Sequence, residues 1–457
     1  MLKSKTILCA DIGTSSLKAA LIDLEGKLLA FNREAYPQKE IVSSDWEKAL
    51  LVSIKKIIKN GEKPSAICIS GNGPTLVPVT YNGKDLGALH WYDLPKEKNE
   101  TGERLALLAS LPKPKSFFLP YVKYFQETRK AEYEKTQYLF SVQEWLSFKL
   151  GAEPVTTLPS EEYLSYYWRE EECANLNIDI KKFPPFVKLG SIIGKVSEKA
   201  ENGFGIPKGI PIVAGGADFI MALIGVGAIE EGLVCDRAGT SEGINLCSSF
   251  SIHSKELRVL PHLKTGLWNI GGVIGNSGKL FEWYKTFTGQ ENKTYEEILF
   301  ELIPANEILP KNKIFFSSEH GILSERLISR QALGGTVLKT LGFLTRDILD
   351  KLKKYGFSVK EMRVSGGQGK NSLWNKLKAD ITGCDLLIPE ISDGELAGNA
   401  ILGSMALGES SEYSEAVQRM IRIQKCYTPT PERHSQYTEE YSEYCGQKAR
   451  LQNFFRN

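Results

Sequence analysis

The tripeptide Gly-Thr-Ser occurs twice in this chain, each time directly after a short apolar run. Thr6 to Ile12 leads into Gly13, Thr14 and Ser15, and Leu233 to Ala238 leads into Gly239, Thr240 and Ser241. A glycine at a strand exit lets the backbone turn with its N–H groups aimed one way, and the hydroxyls that follow add donors. Such a turn suits a phosphate. Two copies suggest a phosphate gripped from both sides, on a fold that builds the same strand–turn unit twice.

At 457 residues the chain exceeds what one hydrophobic core supports, so two domains of roughly 200 residues are expected. Apolar residues at 42% and charged residues at 25% are the balance of a soluble globular protein. A formal net charge of +2, with no long Lys/Arg run, argues against nucleic acid and anionic membrane as partners. No apolar stretch approaches the roughly 20 residues of a membrane span. Met1 to Lys5 leads straight into a strand-like run rather than a signal peptide, so the cytoplasm is the expected compartment. The eight cysteines include no Cys-x-x-Cys pair and read as buried reduced thiols, not as a zinc or iron–sulfur site.

Three strands are expected in quick succession: Thr6 to Gly13, Ala19 to Leu24 and Leu28 to Tyr36, the last two joined by Glu25-Gly26-Lys27. A helix follows, capped by Ser44 with Glu47, apolar at Trp46, Ala49, Leu50, Ile54, Ile57 and Ile58, and ended by Asn60-Gly61. Ala66 to Ser70 reads as a fourth strand entering Gly71-Asn72-Gly73-Pro74, and a hairpin-like pair around Asn82-Gly83 ends at His90-Trp91-Tyr92-Asp93. Residues 94 to 200 are helix-rich, with Trp145, Tyr163, Tyr166, Tyr167 and Trp168 as packing groups. Ile210 to Val213 then enters Gly215-Gly216-Ala217-Asp218 and a small-residue helix.

The second half repeats this grammar. Leu233 to Ala238 and Gly243 to Cys247 are strands around the second turn, and Leu267 to Ile274 enters Gly275-Asn276-Ser277-Gly278 and a helix. A long helix from Leu333 to Tyr355 carries Val337, Leu341, Leu344, Ile348 and Leu352 on one stripe. Met362 to Ser365 ends in Gly366-Gly367-Gln368-Gly369, and Leu386 to Ile388 precedes a Gly/Ala-rich helix from Glu395 to Leu407. The tail from Tyr427 reads as a terminal helix docking on the body. The expected division is 1–231 and 232–457, a duplicated α/β design.

These motifs resemble the FGGY family of carbohydrate kinases, and the match covers most of the chain. The family's Asp-x-Gly-Thr-Ser/Thr is matched by Asp11 to Ser15, its Gly-Gly-x-Asp by Gly215 to Asp218, and its second Gly-Thr-Ser by Gly239 to Ser241. Its C-terminal pattern is matched by Gly366-Gly367-Gln368, Trp374 and Ala379-Asp380-Ile381-Thr382-Gly383. The layout is most similar to the xylulokinase branch, through Ile69-Ser70-Gly71 and Trp91-Tyr92-Asp93. The resemblance implies two actin-like, ribonuclease H-like lobes with ATP and sugar in the cleft between them. It also implies Mg-ATP as phosphoryl donor, a hydroxyl of a small sugar or polyol as acceptor, and a homodimer as a common state.

Phosphoryl transfer needs a metal-bridged triphosphate, fixed donors for its oxygens, and help removing the acceptor's proton. Asp11, at a strand end beside the first turn, is the candidate to hold Mg²⁺ through water; its alternative is a turn-capping carboxylate. Thr14, Ser15 and Lys18 are candidates for the triphosphate, although Lys18 also reads as a plain strand-end lysine. By resemblance Asp218 accepts the sugar hydroxyl's proton as general base. Thr240 and Ser241 would hold the β- and γ-phosphates, Gly278 would line the nucleotide, and Gly366, Gly367, Gln368 and Asn371 would cradle adenosine, unless that loop serves packing alone. Asn72, Gly73, Trp91 and Asp93 join Asp218 as sugar contacts, supplying amide and carboxylate hydrogen bonds with an aromatic face.

Two departures stand out. Where xylulokinases show Gly-Gln-Met-His, this chain has Gly71-Asn72-Gly73-Pro74, and Pro95 replaces the arginine of Trp-x-Asp-x-Arg. The segment from Pro304 to Arg330 is shorter than the family's, with Phe315 to Gly321 leading almost directly into the long helix. The first expectation is a kinase of a ketopentose such as xylulose. The competing one is a catalytically weak relative that senses ATP and sugar.

Overall fold

The computed structural model describes residues 5–37, 40–58, 63–93, 115–239, 241–275, 277–303, 314–317, 321–324 and 329–454. Asn60-Gly61, Thr240, Asn276 and most of the shortened segment 304–330 lie outside them. The chain forms two compact units. The first comprises Met1–Ile229, Pro261–Gly266 and Gly394–Ile421, and the second Glu230–Leu260, Leu267–Asp393 and Arg422–Asn457.

In the first unit β1 (Thr6–Ile12), β2 (Ser16–Asp23) and β3 (Leu28–Ala35) form the expected antiparallel meander. β4 (Ala66–Gly71) joins β1 in parallel, and β5 (Ile192–Lys195) and β6 (Pro211–Val213) complete the order β3-β2-β1-β4-β6-β5. Ile7, Leu8, Cys9, Ala10 and Ile12 of β1 are fully buried, as in a central strand covered on both faces. Helix α1 (Ser43–Ile57) lays Trp46, Ala49, Leu50, Ile54 and Ile57 into this core. Its cap differs from the expected Ser44/Glu47 pair. The Asp45 carboxylate accepts the Val42 N–H at 3.0 Å, while Glu47 pairs with Lys149 at 2.9 Å. Helix α2 (Val142–Leu150) buries Trp145 in the same core, and Tyr163, Tyr167 and Trp168 are also buried, as their packing role requires.

Helix α3 (Asp218–Gly225) follows the Gly215-Gly216 turn. In the second unit β7 (Val234–Ala238), β8 (Glu242–Ser248), β9 (Arg258–Pro261), β10 (Trp268–Ile274), β11 (Glu361–Ser365), β12 (Asp385–Pro389) and β13 (Ile423–Tyr427) run in the order β9-β10-β8-β7-β11-β12-β13. The strands β10-β8-β7-β11-β12 repeat the meander-then-parallel pattern of β3-β2-β1-β4-β6, and each sheet closes on an antiparallel edge strand. Helices α4 (Ser277–Phe287), α5 (Arg330–Lys354), α6 (Ser372–Thr382) and the terminal helix α8 (Pro431–Phe454) contribute to one buried apolar cluster. Val337, Leu341, Ile348 and Leu352 form the buried stripe expected of α5.

Helix α7 (Gly394–Ala406) crosses the expected division at residue 231. It lies in sequence beyond β12, yet it belongs to the first unit, packed on α3, β1 and β4. Two glycines permit this approach: a Cβ on Gly225 would sit 1.8 Å from the Gly394 carbonyl, and one on Gly398 would sit 2.2 Å from that of Met221.

The segment Pro261–Gly266 also belongs to the first unit. The His262 carbonyl accepts from Ser160, its Nε2 lies 3.3 Å from the Ala228 carbonyl, and its Nδ1 accepts the Lys264 N–H at 3.2 Å. Burial pushes this imidazole down to about 4, because charging it would cost desolvation and the Nδ1 acceptor. The unfolded chain therefore binds more protons between the ordinary histidine value and 4. Stability is full above about pH 6.5 and falls by about 3 kcal/mol as the pH drops to 4. His262→Gln is expected to flatten that part of the profile in denaturant titrations at pH 7 and pH 5. An unchanged difference between the two pH values would assign the acid sensitivity elsewhere. No helix of the described residues is long and apolar enough to cross a membrane.

Candidate functional site

The register of the first sheet places three side chains in one row. Asp11 on β1 stands opposite Lys18 on β2 and Ser70 on β4, at the strand ends that feed the first Gly-Thr-Ser turn. Gly13 donates its N–H to the Ser16 carbonyl at 3.0 Å, closing this turn and leaving Thr14 half-buried and Ser15 exposed. The Ser70 hydroxyl donates to Asp11 Oδ1 at 2.8 Å and receives an N–H from Asn399 of α7 at 3.0 Å. Asn399 also donates to the Ala10 carbonyl at 2.9 Å. Lys18 Nζ lies 3.9 Å from Asp11 and 4.0 Å from Glu395, the first-turn carboxylate of α7.

Asp11 is 3% exposed, and its carboxyl is pushed up to about 7. Burial is the main cause, followed by repulsion from Glu395, with Asp218 adding to it; Lys18 and the Ser70 hydrogen bond offset part. Ser70 belongs to the Ile69-Ser70-Gly71 pattern but carries no site role in the sequence reading, and Asn399 and Glu395 belong to no motif. Ser70→Ala is expected to lower kcat/KM by about tenfold, since hydrogen bonds to charged groups are worth about 1.5–3 kcal/mol. Unaltered kinetics in that variant would show that Asp11 is oriented without it.

Asp218 opens α3, and its turn is fastened to the end of β4. Gly71 donates its N–H to the Gly216 carbonyl at 3.3 Å, and a Cβ on Gly215 would sit 1.9 Å from the Ile69 carbonyl. Asn72 follows Gly71, buried, with its N–H on the Ile12 carbonyl at 2.9 Å and its Oδ1 accepting from Thr75 at 2.7 Å. Gly73 is exposed with open space where a side chain would stand. Gln143 of α2 also faces this turn: its amide oxygen lies 2.9 Å from where a Gly71 Cβ would be. Trp91 is half-buried, and its carbonyl accepts from Tyr121 at 2.6 Å. Asp93 is exposed, and its carboxylate accepts the His90 N–H at 2.6 Å, closing its own turn.

The three nucleotide segments expected from sequence adjoin one another within the second unit. Gly239 donates to the Ser241 carbonyl at 3.0 Å, shaping the second turn. Gly366 has φ 98° and lies against that turn's entry strand, where a Cβ would fall 2.4 Å from the Ala238 carbonyl, so glycine is required there. Gln368, expected to face adenosine, has both ends of its amide engaged inside the unit. It donates to Ser277 at 3.2 Å and accepts from Trp374 Nε1 at 2.9 Å. Asn371 caps α6 by accepting the Trp374 N–H at 3.0 Å. Gly367 is exposed, and Gly278 is the second residue of α4. Asp380 of the Ala-Asp-Ile-Thr-Gly motif is structural, accepting from Lys376 and from the Thr430 N–H, each at 2.7 Å.

Family models for the FGGY carbohydrate kinases match both parts of the chain, the N-terminal domain over residues 6–225 and the C-terminal domain over 237–407. The chain belongs to the FGGY family of carbohydrate kinases. It is 24% identical to a xylulose kinase of Staphylococcus epidermidis, over 96% of each chain. It is 21% identical to an autoinducer-2 kinase of Escherichia coli, over 95% of this chain and 92% of the relative. Among solved structures it superposes on gluconate kinase from Lactobacillus acidophilus with a TM-score of 0.80, at 19% identity over 98% of both chains. Ligand-bound xylulose kinase from the same organism gives 0.79 with the same identity and coverage. The fold is thus the actin-like two-lobed fold of sugar kinases.

Proposed function

We propose that the protein transfers the γ-phosphoryl group of ATP to a hydroxyl of a small sugar or polyol, with a ketopentose such as xylulose as the first substrate to test, and that it does so in the cytoplasm. The observation that carries this reading is the row Lys18–Asp11–Ser70 beside the first turn, with Asp218 brought to the end of the same sheet by its glycine turn. Asp218 takes the proton of the sugar hydroxyl as that oxygen bonds the γ-phosphorus, and the bridging oxygen leaves with ADP. Asn72 and the open backbone at Gly73 lie beside that carboxylate's turn and are the sugar's polar contacts.

The residues present fit Mg²⁺. Asp11 is crowded by Glu395 and Asp218, and Lys18 offsets only part of their charge, so a hard cation matches the donor set. Asp11 would hold it, and the ion supplies charge neutralisation on the phosphate oxygens when bound. On the nucleotide side, Ser241 and the backbone of the second turn would hold phosphates, and Gly366–Gly367 would let adenosine approach the backbone. The preference for xylulose draws on relatives named for it in both comparisons. ADP release measured over ketopentoses, aldoses, gluconate, glycerol and other polyols tests the reading. The highest kcat/KM is expected on a ketopentose. Preferred turnover of gluconate would move the substrate, and ATP binding without turnover on any acceptor would favour a sensor.

A further inference from the structure

A buried charged network lies behind the second Gly-Thr-Ser turn. Glu242, the residue after that turn, is fully buried on the apolar face of the second sheet, among Ile244, Leu246 and Val234. Its Oε1 accepts from Lys378 of α6 and Thr345 of α5, each at 2.7 Å, and its Oε2 accepts from Ser277 at the start of α4 at 2.8 Å. Lys378, 1% exposed, also pairs with Asp236 of β7. Five elements thus meet on one carboxylate–ammonium pair.

We propose that Glu242 is a positioning residue for the nucleoside triphosphate, holding the second phosphate turn in register with the glycine loop 366–369. This rests on the kinase reading above. Stability alone does not call for ions here, because well-packed apolar residues of similar volume are commonly as stable as a buried ion pair. What the network adds is geometry. A continuous chain of hydrogen bonds runs from Glu242 through Ser277 to Gln368 and on to Trp374. Its links are the residue after Ser241, the residue before Gly278 and the residue after Gly367, so each expected nucleotide segment is wired to the next. Gly366, pressed against the Ala238 carbonyl, leaves little freedom for the loop to shift unless the turn shifts with it.

The test uses the full chain and separates nucleotide from sugar. Ser277→Ala removes the central hydroxyl, and Glu242→Gln removes one carboxylate charge while leaving Lys378 paired with Asp236. Each is expected to raise the ATP KM, and the Kd for Mg-AMPPNP by calorimetry, by about five- to tenfold while the sugar KM and kcat stay within about twofold. A lowered melting temperature with unchanged nucleotide affinity in both variants would reduce the network to a structural role and overturn the proposal. Equal losses for sugar and nucleotide would do the same. If the unmodified protein fails to bind Mg-AMPPNP, the kinase reading falls, and that failure is seen before any variant is made.

Discussion

Asp218→Asn is expected to lower kcat by about 10²–10⁴-fold while leaving ATP affinity within about twofold, the range a positioned general base contributes. The substitution keeps the shape and the polar end of the side chain at the first residue of α3, so the turn fastened to Gly71 and Ile69 should survive. What it removes is the ability to take a proton. A carboxylate at a helix N-terminus also interacts with its amides, a role compatible with proton transfer. That role is read separately, as a fall of a few degrees in melting temperature, whereas the loss of turnover reports the base. Coupled assays at saturating sugar and ATP, with calorimetry for nucleotide, distinguish the two. Turnover comparable to the unmodified enzyme would remove Asp218 from the chemistry.

Much of the fold was legible because its signals are local. Strand exits at Gly13 and Gly239, the apolar stripe of α5 and the meander β1–β3 depend on residues within a few positions of each other. Elements without local patterning were not read: β13 has four exposed residues in five and no alternation to see, and β9 is four residues long. Helix α7 illustrates a harder limit. Its Gly/Ala-rich sequence announced a closely packed helix, but the partner was not encoded nearby; Asn399 reaches a carbonyl 389 residues earlier in the chain. The same holds for Glu395, which reaches Lys18 from the far end of the sequence. Residue type alone also does not show where a polar candidate serves the scaffold. Gln368, Asn371 and Asp93 carry the chemistry of ligand contacts, yet their side chains hold an indole, a helix end and a turn.

The duplication makes the difference between the two turns sharper. In the first sheet the row at the turn reads Lys18–Asp11–Ser70; in the second the matching row reads Gly243–Arg237–Ser365. The serine is kept, while the central acid becomes a cation and the flanking lysine becomes glycine. An acid row suits a metal ion, and a basic row suits phosphate oxygens directly. The repeated topology thus carries an acid at the entry to the first turn and a cation at the entry to the second.

Asp11→Asn separates a catalytic acid from a structural one, because the two roles predict opposite changes in stability. Asparagine can still accept from Ser70, so the hydrogen bond at Oδ1 is retained. The substitution removes one negative charge from a buried place shared with Glu395 and Asp218, where burial and both neighbours oppose that charge. The metal-free, nucleotide-free protein should therefore gain about 1–2 kcal/mol, seen as a rise of about 2–6 °C in melting temperature, as when a strained functional group is neutralised. With Asp11 as the proposed metal ligand, activity should fall by about 10³-fold, since its loss would weaken several kcal/mol of charge stabilisation in the transition state. The stabilisation that Mg-ATP confers beyond ATP alone should shrink with it, because a ligand raises the melting temperature only in proportion to its affinity for the folded state. A turn-capping Asp11 predicts the reverse: a lower melting temperature, with activity reduced only as far as the folded fraction is. Thermal melts in EDTA and in Mg-ATP, run beside the coupled assay, give the sign directly.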